Sequence, residues 1–381
     1  MNPFKKRTGV FPSYFTGRNE ELNELKRIFK STKEGDPGHI IIYGPKGIGK
    51  TCLLLKFQEE LKNVEETYAM RIPLVEGNFD DIYSLIIDKC TDDLNIQISS
   101  FWDKLKGIGV NIPFLGGFTL SRDIPPTSPS VAFEKILKTI YEELDGNSPI
   151  LILLFDDLQR IIINEDTQRV LSILQNALVE LNLKGLKIMI VATGSYDIFS
   201  KIQDYTDSAV RIFDPYELRP LSLEEVKNGI SIPSKKQGKT FMDEVIKQIY
   251  QISEGNPYYV QIIAHNCFEE SDKIIAMDNF ESAFPNALNF LAQREFRGMY
   301  EKSSSEERKI LALMAENEAD VLSYKEIKEN NPKNSEPSSL LRNMIEKNLI
   351  LKESRGKYKL RDKMFKEYLK TTKIYEKNGT I

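Results

Sequence analysis

At 381 residues the chain is longer than one ordinary domain, and two or three are expected. Its apolar fraction of 41% and charged fraction of 28% are those of a soluble globular protein with a sizeable core. A net charge of −4 gives no whole-chain case for nucleic acid or membrane. Cys52, Cys90 and Cys267 are odd in number and far apart. With only His39 and His265 beside them they suit neither a disulfide framework nor a zinc site, so a reducing cytoplasm is the expected home. Met1–Phe11 lacks the apolar core of a signal peptide. The longest uncharged stretch, Gly107–Ser121, is broken by Pro113, Gly116 and Gly117 and is too short to span a bilayer, so no membrane partner is expected.

In chain order, Asn19–Lys30 reads as a helix with Leu22, Leu25, Ile28 and Phe29 on one face. His39–Tyr43 is a buried-strand run, followed by a glycine-rich turn and a helix from Lys50 to about Leu61. Thr67–Leu74 reads as a strand, and Asp81–Leu94 and Ser130–Leu144 as helices. Ile150–Phe155 and Lys187–Thr193 are apolar runs without alternation, as expected for strands covered on both faces. Asp166–Leu183 between them is helical. This alternation predicts a mostly parallel α/β sheet. Beyond Pro220 the strand signals stop, and Ser222–Ile230, Lys239–Ser253, Pro257–Glu270 and Met277–Leu291 read as a helical bundle. Ser305–Ala315, Ser323–Glu329 and Pro337–Asn348 follow, and Leu349–Leu360 reads as a hairpin turning at Ser354–Gly356, which is the winged-helix order. The expected domains are therefore 1–220, 221–298 and 299–381. Ser99–Ser130 reads as a loop insertion of no assigned role.

Gly44-Pro45-Lys46-Gly47-Ile48-Gly49-Lys50-Thr51 fits G-x-x-x-x-G-K-[ST] completely, with Cys52 next in the helix it opens. The glycines let backbone N–H groups wrap phosphates, and the helix offers its positive end to the same anion. Lys50 would reach the β- and γ-phosphates and the Thr51 hydroxyl would bind Mg²⁺. Asp156 and Asp157 end a buried strand, the place from which P-loop proteins hold the metal. Asp156 would hold Mg²⁺ through water and Asp157 would orient or deprotonate the attacking water. Thr193 and Ser195, at the end of the next apolar strand, are either γ-phosphate sensors or plain turn residues.

Read together, the chain resembles the AAA+/STAND group of P-loop ATPases, above all its prokaryotic, largely archaeal members. Phe15-Thr16-Gly17-Arg18-Asn19-Glu20-Glu21-Leu22 resembles that group's F-x-G-R-x-x-E-L opening, and Gly255-Asn256-Pro257 its lid G-x-P. Gly356–Asp362 resembles its winged-helix ending. The resemblance implies a P-loop parallel sheet with a helical lid bundle and a winged helix, binding ATP or ADP with Mg²⁺. It implies that Phe15 and Arg18 lie near the adenine and that Pro257 engages the nucleotide as the lid closes. Arg211 is the positional match to a γ-phosphate-sensing arginine, often supplied between subunits, with a structural arginine as the alternative. Related initiators carry a lid arginine in G-D-x-R, where this chain has Gly255-Asn256-Pro257-Tyr258.

From Leu340 to Lys373 there are 11 basic against 4 acidic residues. Arg342 and Lys347 on the third helix, and Arg355 and Lys357 on the wing, would suit duplex DNA. A solvated face or a protein contact is the competing reading. Three functions follow. The first is a slow ATP-hydrolysing switch, assembling with its own copies or a protein partner, whose nucleotide sets the lid and winged helix. The second is an ATP-dependent DNA-binding initiator or regulator related to origin-recognition ATPases. The third is a nucleotide-binding scaffold with negligible turnover.

Overall fold

The computed structural model describes residues 1–381 except 8, 78, 95–103, 105–127, 163–166, 197, 199–211, 272, 331–336 and 378–381. Most of the Ser99–Ser130 insertion therefore lies outside the described residues. The chain divides into two units, Arg18–Arg219 and a second made of Met1–Gly17 with Pro220–Ile381.

In Arg18–Arg219 the helix α1 (Asn19–Lys33) leads into β1 (His39–Tyr43) and α2 (Lys50–Leu61), then β2 (Thr67–Pro73) and α3 (Phe79–Leu94). The helix α4 (Pro129–Glu142) precedes β3 (Ile150–Asp156). A short α5 (Gln159–Ile162), α6 (Thr167–Leu183), β4 (Ile188–Gly194) and β5 (Phe213–Glu217) complete the unit. The five strands form one parallel sheet in the order β2-β3-β4-β1-β5. Every residue of β1, β3 and β4 is buried, as their unbroken apolar runs require. Leu151, Leu153 and Phe155 share a core with Phe133, Ile136, Leu174 and Leu178 of α4 and α6. The pleat sends Ile152, Leu154, Met189 and Val191 to the other face, where Leu53, Leu54 and Phe57 of α2 are fully buried. Each such side chain contributes roughly 1.5–3 kcal/mol by leaving water. The register sets Tyr43 beside both Gly194 and Glu217, and Pro73 beside Asp156. The C-terminal ends of the strands thus lie at one edge, where open α/β sheets hold their ligands.

The second unit runs through α7 (Leu223–Lys236), β6 (Thr240–Phe241), α8 (Asp243–Ser253), α9 (Pro257–Glu269), β7 (Ile274–Ile275) and α10 (Met277–Leu291). A π-helical turn, Ala292–Phe296, joins α10 to α11 (Arg297–Glu301). Then follow α12 (Ser305–Glu316), β8 (Val321–Ser323), α13 (Tyr324–Asn330), α14 (Ser338–Glu346), β9 (Ile350–Ser354), β10 (Lys357–Leu360) and α15 (Lys363–Lys377). The last three strands form an antiparallel sheet in the order β8-β10-β9; three helices precede the hairpin, and β8, which the sequence expectation lacked, lies between the first two. The expectation that strands stop after Pro220 is corrected by the parallel pair β6–β7. Strands of two or three residues, β8 included, carry no readable period. The α7 helix also runs past the expected Ile230 with Pro233 inside it, since proline's fixed φ suits a helix and forfeits one bond.

Ser222 and Ser304 each close a capping box with the glutamate three residues on. Gly255 is the one residue that fits its turn. Its φ is +73°, and a Cβ there would sit 2.1 Å from the Leu221 carbonyl oxygen. Around Arg361 a largely buried polar cluster ties the helical bundle to the C-terminal module. The guanidinium meets Asp362 at 2.8 Å and Glu295 at 3.0 Å, and the Tyr259 phenol donates to Asp362 at 2.9 Å. Burial and the Asp362 charge hold that phenol far above its ordinary range, so it keeps its proton to donate.

Candidate functional site

The P-loop leaves β1 at Tyr43 and turns into α2 through Gly49, whose left-handed backbone (φ 98°) forms the N-cap. Ile48 is buried and anchors the loop. The Lys50 ammonium arches back to the carbonyls of Gly44 (2.8 Å) and Pro45 (3.0 Å). Burial lowers its pKa, opposed by the charges of Asp157 and Asp156. Gly47 is half-buried and Lys46 exposed. Cys52 is half-buried, and its thiol is pushed up by burial and then by Asp156.

Arg18 is buried, with φ 68°. Its guanidinium donates to the carbonyls of Ile48 (2.9 Å) and Arg219 (2.6 Å) and pairs with Glu21 at 3.0 Å. It thereby pins the P-loop to the segment following β5.

Asp156 is 6% exposed and accepts three bonds. The hydroxyls of Thr51 and Thr193 both donate to Oδ1 at 3.0 Å, and the Arg71 guanidinium meets Oδ2 at 2.8 Å. The Thr193 hydroxyl also accepts from the Asp157 N–H at 2.9 Å, bracing β4 against the end of β3. Its single proton is spent on Asp156, and the residue is wholly buried. Asp157 has a left-handed backbone (φ 67°), and its carboxylate, 33% exposed, accepts from Gln159 at 2.8 Å and lies 3.4 Å from Arg160. Ser195 lies half-buried just past β4.

The structure thus brings Lys50, Thr51, Asp156, Asp157 and Thr193 together at one sheet edge. Arg211 lies outside the described residues. Phe15, stacked on Phe11, and Pro257, the first residue of α9, belong to the other unit. So do the four cationic positions of the C-terminal module. Arg342 is exposed and paired with Glu346, and Arg355 and Lys357 are exposed on the hairpin. Lys347 instead binds both oxygens of the buried Glu307, at 2.9 and 2.7 Å. Sequence reading missed Arg71. The available signal was a lone cation inside a strand that pairs with the strand ending in Asp156-Asp157.

The donors suit Mg²⁺: a hydroxyl and a carboxylate meet beside a phosphate-type loop, both hard oxygen ligands. Among the described residues no group of three His, Cys, Asp or Glu gathers to hold a metal, so phosphate and water oxygens would have to complete the shell here. Mg²⁺ is commonly bound by one or two carboxylates with phosphates and water completing the shell. No described helix is long and apolar enough to cross a membrane.

Solved structures share this fold. The Walker-type ATPase of Pyrococcus abyssi superposes with a TM-score of 0.61 at 18% identity, over 96% of this chain and 99% of that one. The ORC2 protein of Aeropyrum pernix gives 0.60 at 15% identity, over 97% and 99%. In sequence, the ORC1-type DNA replication protein of Pyrococcus abyssi is 23% identical over 216 residues. That match takes in 56% of this chain and 43% of the relative, so the shared region is less than half of the relative's length. The profile of the family described as "ATPase domain predominantly from Archaea" matches residues 15–263. That range is well over half of the chain and holds the P-loop, the Asp156-Asp157 strand end and the Thr193 brace, so the chain belongs to this family of ATPases.

Proposed function

We propose that the chain is an ATP-hydrolysing, DNA-binding regulator of the origin-recognition type, with slow turnover. The observation that carries the reading is a complete P-loop site in the same chain as a helix–strand–helix–helix–hairpin module whose hairpin exposes Arg355 and Lys357. The sequence likeness to ORC1-type replication proteins points the same way. We divide the chain for function at 1–220 (ATPase), 221–298 (lid) and 299–381 (winged helix).

In this reading the P-loop amides and Lys50 hold the phosphates of ATP or ADP, while Thr51 and Asp156 hold Mg²⁺. The metal, when bound, supplies charge neutralisation across the β- and γ-phosphates. Thr193 acts behind Asp156, fixing its carboxylate and the backbone of Asp157. Asp157 keeps one face toward solvent and orients or deprotonates the attacking water. Arg18 supports the loop, so its effect on nucleotide is indirect. Phe15, Pro257, Ser195 and Arg211 keep their proposed roles at adenine, lid and γ-phosphate. Arg342, Arg355 and Lys357 would contact phosphates of duplex DNA. Lys347 is set aside from that group because Glu307 holds it.

A second reading has a specific observation behind it. Gly255-Asn256-Pro257-Tyr258 stands where related initiators carry an arginine, which favours a switch whose C-terminal module meets protein, either another copy or a partner. Fluorescence anisotropy of a mixed-sequence duplex, titrated with protein plus ATP or ADP over a salt series, separates the two. DNA binding should depend on nucleotide and weaken with salt, and Arg355→Ala with Lys357→Ala should lower the salt slope by about two. Lys50→Ala should remove the nucleotide dependence while the protein stays folded. Absence of duplex binding at low salt would leave the protein-facing switch.

A further inference from the structure

Arg71 has no place in the nucleotide chemistry derived so far, yet among the described residues it is the cation paired with the carboxylate assigned to the metal. It lies on β2, opposite Leu154 of β3, and its guanidinium reaches Oδ2 of Asp156 at 2.8 Å. The other oxygen of Asp156 is already met by two hydroxyls, from Thr51 and Thr193. Three donors therefore crowd a carboxylate that is almost completely buried, and the oxygen with an acceptor site left, Oδ2, is the one beside the Arg71 guanidinium, so a divalent ion held there, directly or through water, meets that cation. Two are short hydroxyl side chains fixed on α2 and β4, and Thr51 would itself turn toward the ion. The third is a long, flexible side chain, 30% exposed, that can swing outward at little cost in burial.

We propose that Arg71 is a positioning residue of the ATPase site, an internal cation that competes with Mg²⁺ for Asp156 and so sets the Mg²⁺ concentration at which nucleotide is loaded. With Arg71 in place, the Asp156 carboxylate is oriented and its charge is balanced. Metal loading brings a second cation close to the guanidinium and loosens this ion pair. Both effects raise the Mg²⁺ requirement. Thr193 holds the same carboxylate without carrying charge, so the two neighbours of Asp156 have opposite consequences for the metal.

The inference rests on the reading of Asp156 as the metal-side carboxylate, and the experiment keeps the two apart. A fluorescent ATP analogue is bound to the full chain across a Mg²⁺ series, and the midpoint in Mg²⁺ is read for wild type, Arg71→Met, Arg71→Lys, Asp156→Asn and the Arg71→Met/Asp156→Asn double variant. Arg71→Met should lower the midpoint by roughly three- to tenfold, the range for one partly exposed ion pair, with binding in EDTA unchanged. Arg71→Lys, which keeps the charge and is the milder change to the fold, should stay within about twofold of wild type. In the Asp156→Asn background the Arg71→Met effect should vanish, since the coupling needs both partners.

An unchanged or raised midpoint in Arg71→Met, with Asp156→Asn clearly shifted, overturns the role of Arg71 and leaves the site standing. Binding in EDTA that collapses in Arg71→Met would make Arg71 a direct nucleotide ligand and would equally overturn it. A midpoint untouched by Asp156→Asn overturns the metal reading itself, and the inference with it.

Discussion

Thr193→Val is a demanding test of how the site is built, because valine keeps the shape and removes only the hydroxyl. Two bonds disappear together. The Asp157 N–H loses its acceptor at 2.9 Å, and the buried Asp156 carboxylate loses a donor at 3.0 Å. A half-buried donor left unmet costs about 1–3 kcal/mol, and a hydrogen bond to a charged group contributes about 1.5–3 kcal/mol. Valine regains part of this by burying one more methyl group, near 0.8 kcal/mol. The expected loss is therefore about 2–5 kcal/mol, read as a lower urea midpoint at unchanged slope for the transition of this unit. Turnover should fall about tenfold or more, because Asp156 and the backbone of Asp157 lose their common brace, while nucleotide affinity changes little. Thr193→Ser restores the hydroxyl and should recover most of both. Destabilisation below about 1 kcal/mol together with wild-type turnover would refute the bracing argument.

His39 is wholly buried at the start of β1, where its Nδ1 accepts the Ile190 N–H at 3.1 Å, and burial depresses its pKa to about 4. The unfolded chain, with an ordinary histidine near 6.5, binds the extra proton first, so stability is lost as pH falls from about 6.5 toward 4. The chain has two histidines, so proton NMR of wild type and His39→Gln resolves the titration, and a His39 signal moving near pH 6.5 would contradict the burial argument. Lys347→Met should act on stability rather than on DNA, because it strands the Glu307 carboxylate, which is 1% exposed. A loss of about 2–3 kcal/mol in chemical unfolding is expected, below the full value for a buried pair because the lysine is partly solvated. Duplex affinity of the folded variant should match wild type. Burial alone would raise the Glu307 carboxyl, but Lys347 and the Ser304 bonds outweigh it and hold it below its ordinary value. That carboxyl's contribution is therefore complete above about pH 4.5 and lost as pH falls through the lowered value.

The sheet was legible because its strands are extreme. Ile150–Phe155 and Lys187–Thr193 could only be buried on both faces, and the phosphate loop announced itself by glycine spacing. Residues whose job lies in another element's territory were not legible. Arg71 looks like any strand cation until the register sets β2 beside β3. Thr193 was noticed as a hydroxyl at a strand end, yet its partners Asp156 and Asp157 are more than thirty residues away. Arg18 reads as a nucleotide neighbour from a motif, and nothing in that motif shows that its bonds to Ile48 and Arg219 also make it a strut for the loop. Lys347 reads from sequence as a candidate DNA contact because its partner, Glu307, is forty residues earlier.

The same physics bears on how nucleotide could be felt by the C-terminal module. The bundle and the module share one apolar core, with Ile262, Ile263 and Phe296 of the bundle packed alongside Leu311, Met344 and Phe365. The Arg361–Asp362 cluster crosses between them, and the Glu254 carboxylate accepts the Lys363 N–H at 3.0 Å, next to the Gly255-Asn256-Pro257 turn. Separating them would expose that core, part the Arg361–Glu295 pair, whose charges are 10–11% exposed, and break the Tyr259 bond to Asp362. Breaking one buried ion pair of this kind costs about 3–5 kcal/mol, more than the 1–3 kcal/mol over which allosteric coupling usually operates. A switch that moved the module relative to the bundle would have to cover that cost. One that moves both as a single body need not.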